Sequence, residues 1–535
     1  MRAGYSLQEM AAERAEQATR AKRWPLWWLC LALGVALSAF TLAWLGVLGL
    51  PIGVPGQWVV ERVAHPPPAR RGLVPLALVL ALGGVMFLCA RGLRRPGARA
   101  QRALVLLALC AAVVLAVCLQ WTLCDFTVQP PGMLWVVASL YNPVSCEYFE
   151  TAWRYPRALE LTRRYVEVMR YSREEGHFHV ATHPPGAVLF YRAAIDILRA
   201  MPRVERWLAR YIECTTGYSL RAVEAFAHRF PNAALLPRRA VVYAVWCAWL
   251  AGALGALAAA PVYLLGARLC GREVGIAAAG IYALVPSQAL YFPELDPLLA
   301  LFAACALAVF VAGVQRRAWA LYAAAGAILG LGLFVSFGLL PVFAVAAIYA
   351  LLCAWATGER RAWREAGASI AWLAGAALAV QLLLAGVFRT QPLAILAFGL
   401  GTHRHIAEAF HRQYLPWLGA NIVEFGLFFG WPLFALLLWR LVALGGERPG
   451  ALQNKANALG LAALATLALV DVSGTVRGET GRIWLFFMPP LVVWLVAATA
   501  DDGRGAGWRL VALGLALALG LITLAAALVP AVRPF

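Results

Sequence analysis

Long uninterrupted runs of apolar residues dominate this chain and limit the folds open to it. The runs at 27–50, 72–89 and 103–124 each match the roughly 20 residues that a helix needs to cross the hydrocarbon of a bilayer. Backbone amides inside lipid must find partners within their own segment, so each run is predicted to be a helix. The alternating pattern of a transmembrane barrel strand is absent from these runs. The chain is therefore predicted to be an all-α polytopic membrane protein.

The apolar pattern continues along the sequence and predicts about thirteen transmembrane helices. They are placed at residues 27–50, 72–90, 103–124, 239–266, 274–291, 296–314, 318–335, 338–357, 367–388, 417–440, 456–471, 483–500 and 508–530. With 62% hydrophobic and only 14% charged residues, the chain has few polar segments in which chemistry can take place.

Arginine-rich loops predict which side of the membrane each segment faces, because short basic loops stay in the cytoplasm. Such loops lie at 91–102, 268–272, 316–317, 360–364, 440–455 and 501–509. The basic N-terminus is also predicted to be cytoplasmic, and the first span to be a retained anchor in the inner (plasma) membrane. The net charge of +19 falls mainly in these loops, which argues against nucleic-acid binding.

Because successive spans cross the membrane in alternating directions, the polar segments between the remaining spans are predicted to lie on the extracytoplasmic side. These segments are 51–71, 125–236, 292–295, 336–337, 389–416 and 472–482. The cytoplasmic loops hold no histidine, so any site built from imidazole and carboxylate groups is expected on the extracytoplasmic face.

Residues 125–236 form one long extracytoplasmic loop, the first in the part of the chain that begins at residue 103, and this loop is predicted to be catalytic. Charged residues recur in it every three or four positions, at Arg192, Asp196, Arg199, Arg203, Arg206 and Arg210. Apolar residues cover most of the remaining surface. This pattern predicts amphipathic helices that lie in the membrane interface, with a break at Pro202.

Two motifs in the long loop are candidates for catalysis. Glu147 precedes an aromatic pair that begins at Tyr148, and a carboxylate that is ionised yet partly desolvated suits a general base. Further on, the chain reads His183-Pro-Pro-Gly186, and the two prolines and the glycine favour a tight turn. The turn either holds His183 against a phosphate or only opens the helix at 187.

Two further motifs lie near the ends of predicted spans. Glu294 and Asp296 flank a leucine in a short turn, where they either bind a metal ion or a sugar or, for Asp296, cap the next helix. His403 and His405 form a His-x-His pair that either ligates a metal ion or contacts lipid phosphate. Asn421, one helical turn from a glutamate, is expected to face a protein interior.

The last motif, Arg477-Gly-Glu479-Thr-Gly-Arg482, lies at the mouth of a span. Arginine binds phosphate oxygens with two parallel hydrogen bonds, so Arg477 and Arg482 are candidates for a phosphate site. The alternative is that an arginine–glutamate pair anchors the end of the helix.

These motifs together resemble the glycosyltransferase C superfamily. The order of a long first loop, an early acidic residue and then His-Pro-Pro is similar to that in dolichyl-phosphate-mannose protein mannosyltransferases and in lipid A aminoarabinose transferases. The Thr-His-Pro-Pro-Gly and Arg-Gly-Glu-Thr-Gly-Arg-Ile-Trp-Leu-Phe forms resemble uncharacterised bacterial members. The resemblance covers 103–535, so residues 1–102 would add a cytoplasmic N-terminus and two extra transmembrane helices. Two positions depart from the family pattern: Cys146-Glu147 replaces Asp-Glu or Asp-Asp, and Gly186-Ala replaces Leu-Gly-Lys.

The resemblance implies transfer of a sugar from a polyprenyl-phosphate donor to a lipid, glycan or protein acceptor, with inversion at the anomeric carbon. It implies Glu147 as the catalytic base and His183, Arg477 and Arg482 as ligands of the donor phosphate. Supporting or substrate-binding roles then fall to Tyr148, Gly186, Glu294, Asp296 and Glu479. The resemblance makes no cofactor certain, and Asp296, His403 and His405 are candidates for a divalent metal ion. Two alternatives stay open, a transporter or flippase for a lipid-linked sugar and an inactive scaffold of the same fold.

Overall fold

The computed structural model describes residues 7–46, 48, 50, 52–55, 57–62, 72–93, 97–127, 132–230, 236–445, 452–500 and 506–529. Parts of the predicted basic loops at 94–96, 446–451 and 501–505 lie outside the described residues. So do 128–131 and 231–235 of the long loop and several positions of 47–71.

Helices make up most of the described chain. The α-helices are Leu7–Gly46, Leu73–Gly92, Ala98–Thr127, Met133–Tyr141, Pro143–Arg154, Ala158–Arg163, Tyr165–Glu174, His179–Thr182, Gly186–Arg199, Pro202–Thr216, Leu220–Ala227, Ala240–Ala256, Ala259–Cys270, Arg272–Ala283, Pro286–Leu290, Asp296–Arg316, Trp319–Val335, Leu340–Thr357, Arg360–Phe388, Pro392–Ala409, Tyr414–Phe429, Trp431–Gly445, Lys455–Val472, Thr480–Ile483, Met488–Ala500 and Ala506–Ala527. Two short 3₁₀ helices are Phe337–Leu339 and Leu485–Phe487.

Three short strands form a small antiparallel sheet. They are Ile52–Val54, Trp58–Arg62 and Leu528–Val529, with the second strand in the middle. Ile52 pairs with Val60, and Glu61 pairs with Val529. The sheet therefore joins the segment after the first span to the C-terminal end of the last one.

Nine helices in the described part of the chain are long and apolar enough to cross a membrane, or ten if one bent pair is counted. They are Pro25–Leu45, Leu73–Gly92, Ala98–Cys124, Ala240–Cys270, Asp296–Arg316, Phe337–Thr357, Arg360–Phe388, Lys455–Val472 and Ala506–Ala526. The polytopic helical architecture thus agrees with the sequence prediction, while the count of spans is lower than the predicted thirteen.

The difference in count has identifiable structural causes. The predicted span 274–291 is divided before Pro286, and the predicted span 318–335 is the 17-residue helix Trp319–Val335, which stops before the extended residue Ser336. The predicted span 417–440 is two helices bent by 115°. The bend lies at Gly430, whose φ of 95° is in the region that favours glycine.

The long loop folds into a series of short helices that pack on the spans. The predicted break at Pro202 is present between Gly186–Arg199 and Pro202–Thr216. Arg192 differs from the prediction of a solvated charged stripe, because it is 3% exposed and donates a hydrogen bond to the carbonyl of Ala152 at 3.0 Å. The first of the two helices is thus embedded in protein contacts.

Three places at which helices begin or end lie close together and position the polar groups. The helix from Gly186 begins so close to the end of the helix Trp319–Val335 that a Cβ on Gly186 would lie 2.1 Å from the carbonyl oxygen of Phe334. Ser336 then interrupts the helices and accepts a hydrogen bond from the N–H of Gly338 at 3.1 Å. The four-residue helix Thr480–Ile483 supplies the third polar segment.

Candidate functional site

A cleft lies beside the ends of these helices, next to Val335, Ser336 and Arg482. Its volume is about 410 Å³, including the solvent-filled space at its opening. It is lined by Ser145, Cys146, Tyr148, His179, His183, Tyr191, Glu294, Leu295, Asp296, Leu299, Val335, Ser336 and Arg482. Five residues that the sequence singled out from four separate motifs therefore share one cavity: Tyr148, His183, Glu294, Asp296 and Arg482.

Arg482 is held between carboxylates. Its Nη1 donates to Oε2 of Glu294 at 3.0 Å, and its Nη2 donates to Oε2 of Glu479 at 2.8 Å. The Nε atom lies 3.8 Å from Oδ1 of Asp296 and has no hydrogen-bond partner among the described residues. Burial opposes the charge of Arg482, but Asp296, Glu479 and Glu294 together hold its pKa well above the ordinary value. The guanidinium is therefore a fixed positive charge in the cleft.

Glu479 links this group to a second arginine. Its Oε1 accepts a hydrogen bond from Nη2 of Arg412 at 3.0 Å. Burial opposes ionisation of Glu479, but Arg482 and Arg412 outweigh it and lower the pKa to about 2. Glu479 is thus an anion shared by two arginines, and Glu294 and Asp296 are the carboxylates that face the cleft.

Glu294 has a different electrostatic environment from Glu479. It lies in the turn before the span Asp296–Arg316, and burial raises its pKa above the ordinary carboxyl value against the opposing effect of Arg482. A carboxylate with a raised pKa in a cleft is suited to accept a proton near neutral pH.

Arg477 does not line the cleft. Its Nε donates to the carbonyl of Gly474 at 3.1 Å, its Nη1 donates to the carbonyl of Arg412 at 2.5 Å, and its guanidinium lies over the ring of Tyr414. In return, Arg412 donates to the carbonyl of Arg477 at 2.7 Å. These contacts fix the loop before Arg482, and the phosphate-binding role predicted for Arg477 stays a prediction.

Glu147 is also absent from the lining of the cleft. It is 5% exposed, and its Oε2 accepts hydrogen bonds from the hydroxyl of Ser172 at 2.7 Å and from the N–H of Val180 at 3.0 Å. Burial raises the pKa of Glu147 to about 7, while both hydrogen bonds act to lower it. Its carboxylate therefore satisfies a free amide in the first turn of the helix His179–Thr182, which precedes His183.

A kink in the backbone at Cys146 places Cys146 and Tyr148 on the side of the cleft, whereas Glu147 lies away from it. Cys146 has φ −151° and ψ 86° inside the helix Pro143–Arg154, so the helix is kinked immediately before Glu147. Cys146 lines the cleft, and its thiol lies 3.4 Å from the hydroxyl of Tyr191. The next residue but one, Tyr148, stacks on Tyr191 with ring centroids 6.1 Å apart. The kink thus directs Cys146 and Tyr148 into the cleft.

The predicted metal candidates do not converge in the described structure. Asp296 lines the cleft, but His403 and His405 do not. The ring of His405 instead lies 6.4 Å from that of Phe178. Among the residues that the structure describes, no group of three or more His, Cys, Asp or Glu side chains could hold a metal ion.

Solved structures of archaeal oligosaccharyltransferase are among those similar to this chain. A crystal structure of the oligosaccharyltransferase of Archaeoglobus fulgidus with zinc and sulfate is 16% identical, with a TM-score of 0.38 over 78% of this chain and 52% of that one. The archaeal oligosaccharyltransferase AglB from the same organism, bound to an inhibitory peptide and a dolichol-phosphate, is 14% identical, with a TM-score of 0.39 over 78% and 55%.

This chain spans about half the length of those proteins. No protein-family model matches the chain, and no curated protein sequence matches it.

The structure adds functional candidates that the motifs did not identify. His179, Tyr191 and Ser336 line the cleft, and Arg412 completes the arginine–carboxylate group. His179 belongs to the same His-x-x-x-His segment as His183, a spacing that brings the two close together when the segment is helical. No comparable signal in the sequence links Arg412 to Glu479, because 67 residues separate them.

Proposed function

We propose that this chain is a membrane glycosyltransferase that transfers a sugar from a polyprenyl-phosphate donor to a hydroxyl acceptor on the extracytoplasmic face. The observation that carries the proposal is the cleft itself, in which a fixed arginine, two carboxylates and two imidazoles meet among the ends of apolar helices. A lipid-linked donor is the substrate that such a position favours, because its chain can stay in the bilayer while its head group enters the cleft.

The proposed reaction is a single displacement with inversion. The acceptor oxygen forms a bond to the anomeric carbon as the bond from that carbon to the phosphate oxygen breaks. The polyprenyl phosphate leaves with the electron pair, and the hydroxyl proton passes to a carboxylate of the protein. Phosphate is an adequate leaving group when a nearby positive charge offsets its developing charge.

Arg482 is the group proposed to offset that charge. Its Nε–H has no partner among the described residues, and two further N–H groups of the guanidinium remain after the bonds to Glu294 and Glu479. A donor phosphate would therefore compete with Asp296 for the open edge of the guanidinium. Arg477 has no part in this proposal, because its N–H groups bind backbone carbonyls.

Glu294 is the carboxylate proposed to take the acceptor proton. It lines the cleft, and burial keeps its pKa above the ordinary value. The base role predicted for Glu147 from the family resemblance stays a prediction, and the bonds of Glu147 to Ser172 and Val180 favour a positioning role instead. Asp296 is proposed to keep Arg482 oriented until the donor arrives.

The experiment that tests the function uses the full chain in proteoliposomes with radiolabelled polyprenyl-phosphate sugars and extracted envelope lipids, glycans and proteins as acceptors. Transfer of label to an acceptor, lost in Glu294→Gln and Arg482→Gln but retained in Arg477→Gln, is expected. Absence of transfer with every donor, or flipping of the intact donor without transfer, would overturn the proposal in favour of a transporter.

The proposed side of the membrane has a separate test. Cys214 is exposed in the long loop, in the helix Pro202–Thr216. A membrane-impermeant thiol reagent added to intact spheroplasts is expected to label the protein, and the Cys214→Ser variant should lose that label. Labelling of Cys214 only after permeabilisation would contradict an extracytoplasmic loop.

A further inference from the structure

His183 is fixed by its surroundings so that only one edge of its ring can meet a ligand. Its ring lines the cleft and lies edge-on to Tyr148, with centroids 5.7 Å apart. Its backbone carbonyl accepts a hydrogen bond from the hydroxyl of Tyr165 at 3.1 Å. Two prolines follow it, and each fixes a φ angle. The orientation of the ring is therefore set before any substrate binds.

The contacts of Nδ1 determine which nitrogen carries the proton. Nδ1 lies 3.1 Å from the carbonyl oxygen of His179. A carbonyl oxygen has no proton to donate, so this hydrogen bond requires the proton on Nδ1. The hydroxyl of Thr182 lies 3.0 Å from the same nitrogen, but it donates its own proton to the carbonyl of Phe178 at 2.7 Å. Both neighbours of Nδ1 therefore act as acceptors.

The other nitrogen, Nε2, is left with a lone pair. Burial lowers the pKa of His183, nearby His179, His403 and Arg482 act in the same direction, and the resulting pKa is about 3. The ring is therefore neutral at pH 7, and with Nδ1 protonated its Nε2 is an acceptor. No residue in the described part of the chain forms a hydrogen bond with Nε2.

From this geometry we infer that Nε2 of His183 accepts a hydrogen bond from a hydroxyl group of the substrate. This inference rests on the proposed function and changes the role that the sequence predicted for His183. A phosphate diester oxygen is itself an acceptor, so it has nothing to donate to Nε2 and is not a ligand for this imidazole. The hydroxyl belongs either to the sugar of the donor or to the acceptor molecule.

Two amide substitutions at His183 distinguish the contribution of Nδ1 from that of Nε2. His183→Asn places its amide near the position of Nδ1, where it can still donate to His179, but it leaves nothing at the position of Nε2. His183→Gln places its amide oxygen near the position of Nε2. Loss of one hydrogen bond of about 1.4 kcal/mol corresponds to about a tenfold decrease in rate. We expect His183→Asn to show that decrease, partly rescued in His183→Gln, with unchanged thermal stability in detergent for both variants.

A spectroscopic readout tests the inference without any transfer assay. Full-length protein labelled with ¹⁵N-histidine would be studied in nanodiscs at pH 7, with the His183 signals assigned from the His183→Gln spectrum. His177→Gln serves as the matched control, because His177 lies in the same loop but does not line the cleft. The expected spectrum has the proton on Nδ1 and an unprotonated Nε2.

Ligand titrations then identify the source of the hydroxyl. A shift of the Nε2 signal with methyl glycosides indicates an acceptor hydroxyl. A shift with a polyprenyl-phosphate sugar but not with polyprenyl phosphate indicates a donor hydroxyl. A protonated Nε2 at pH 7, a shift with the diester dimethyl phosphate alone, or no shift with any of the sugar probes would overturn the inference. Failure of the transfer assay would leave this result unaffected, so the two proposals fail separately.

Discussion

The hydroxyl of Ser172 lies 2.7 Å from Oε2 of Glu147, and the N–H of Val180 donates to the same oxygen at 3.0 Å. Ser172 also lies within 2.9 Å of the carbonyl of His177. Glu147 thus ties the helix Tyr165–Glu174 to the helix that carries His179. A residue with these partners stabilises the wall of the cleft even though it does not line it.

Glu147→Gln and Glu147→Ala are predicted to differ strongly. Gln keeps an oxygen that can accept from Val180, so Glu147→Gln should retain most of the activity and stability. Ala leaves a buried N–H without a partner, which costs about 1–3 kcal/mol. Apparent Tm in detergent and transfer rate measure both effects. Complete loss of transfer in Glu147→Gln with an unchanged Tm would restore Glu147 as the base.

The pH dependence of Glu147→Gln follows from the raised pKa of Glu147. The pKa of Glu147 in the folded protein is about 7. As the pH falls, Glu147 therefore takes up a proton in the folded protein before it does so in the unfolded chain. Its contribution to stability is therefore present below the ordinary value near 4.3 and is lost as the pH rises through about 7. The wild type should lose more Tm than Glu147→Gln between pH 5 and pH 8.

Arg482→Lys and Arg477→Lys form a matched pair within one loop. Lysine keeps the charge of Arg482 but cannot bridge Glu294 and Glu479 with a planar fork, so transfer should fall by about a hundredfold or more. Arg477→Lys loses contacts to backbone carbonyls, so it should lower Tm while leaving the rate per folded molecule unchanged. Equal losses of transfer rate in both variants would contradict the proposal that Arg482, and not Arg477, binds the donor phosphate.

Part of the site was accessible from the sequence because the motifs of Glu294 and Arg482 lie at the ends of apolar runs. A polar residue at such a boundary faces either the membrane surface or a cavity, and Glu294 and Arg482 share the cavity with Tyr148 of the long loop. The motif pattern could not assign individual roles. Arg477 and Arg482 are the same residue type in one motif and cannot be told apart from the sequence. In the structure, Arg477 binds backbone carbonyls and Arg482 binds carboxylates.

The number of spans was less accessible than the helical architecture. Apolar composition does not distinguish a straight span from two helices bent at a glycine, as at Gly430. It also does not distinguish a spanning segment from the short buried helix Pro286–Leu290. Similarly, the charge of Arg192 predicted a solvated face, but its hydrogen bond to Ala152 becomes visible only when the helices are packed.

Gly186→Ala is predicted to destabilise the protein although alanine is the better helix former. A Cβ at this position would lie 2.1 Å from the carbonyl oxygen of Phe334, which is backbone and cannot rotate away. Overpacking of this kind costs about 1–3 kcal/mol. Gly367→Ala is the matched control, because a Cβ there meets nothing within 4 Å and should raise stability by up to about 1 kcal/mol. Equal Tm values for the two variants would contradict the close approach.

Asn421 is predicted to hold the loop that carries Arg482 through three hydrogen bonds. Its Nδ2 donates to Oδ1 of Asp471 at 2.8 Å and to the carbonyl of Val476 at 2.9 Å, and its Oδ1 accepts from the N–H of Gly478 at 2.9 Å. Asn421→Asp removes both donations and sets a second carboxylate against Asp471. Because Asn421 is 1% exposed, water cannot replace the lost partners. The variant should have a lower Tm at neutral pH.

The double variant Asn421→Asp/Asp471→Asn tests whether that loss arises from the pair. It restores one donor and one acceptor between the two positions, so it should recover part of the lost Tm, whereas Asp471→Asn alone should not raise the Tm of the wild type. Restoration by the double variant would mean that the pair, and not Asn421 by itself, fixes the loop before Arg482. An additive loss in the double variant would contradict a direct bond between the two side chains, because independent sites give additive changes in stability.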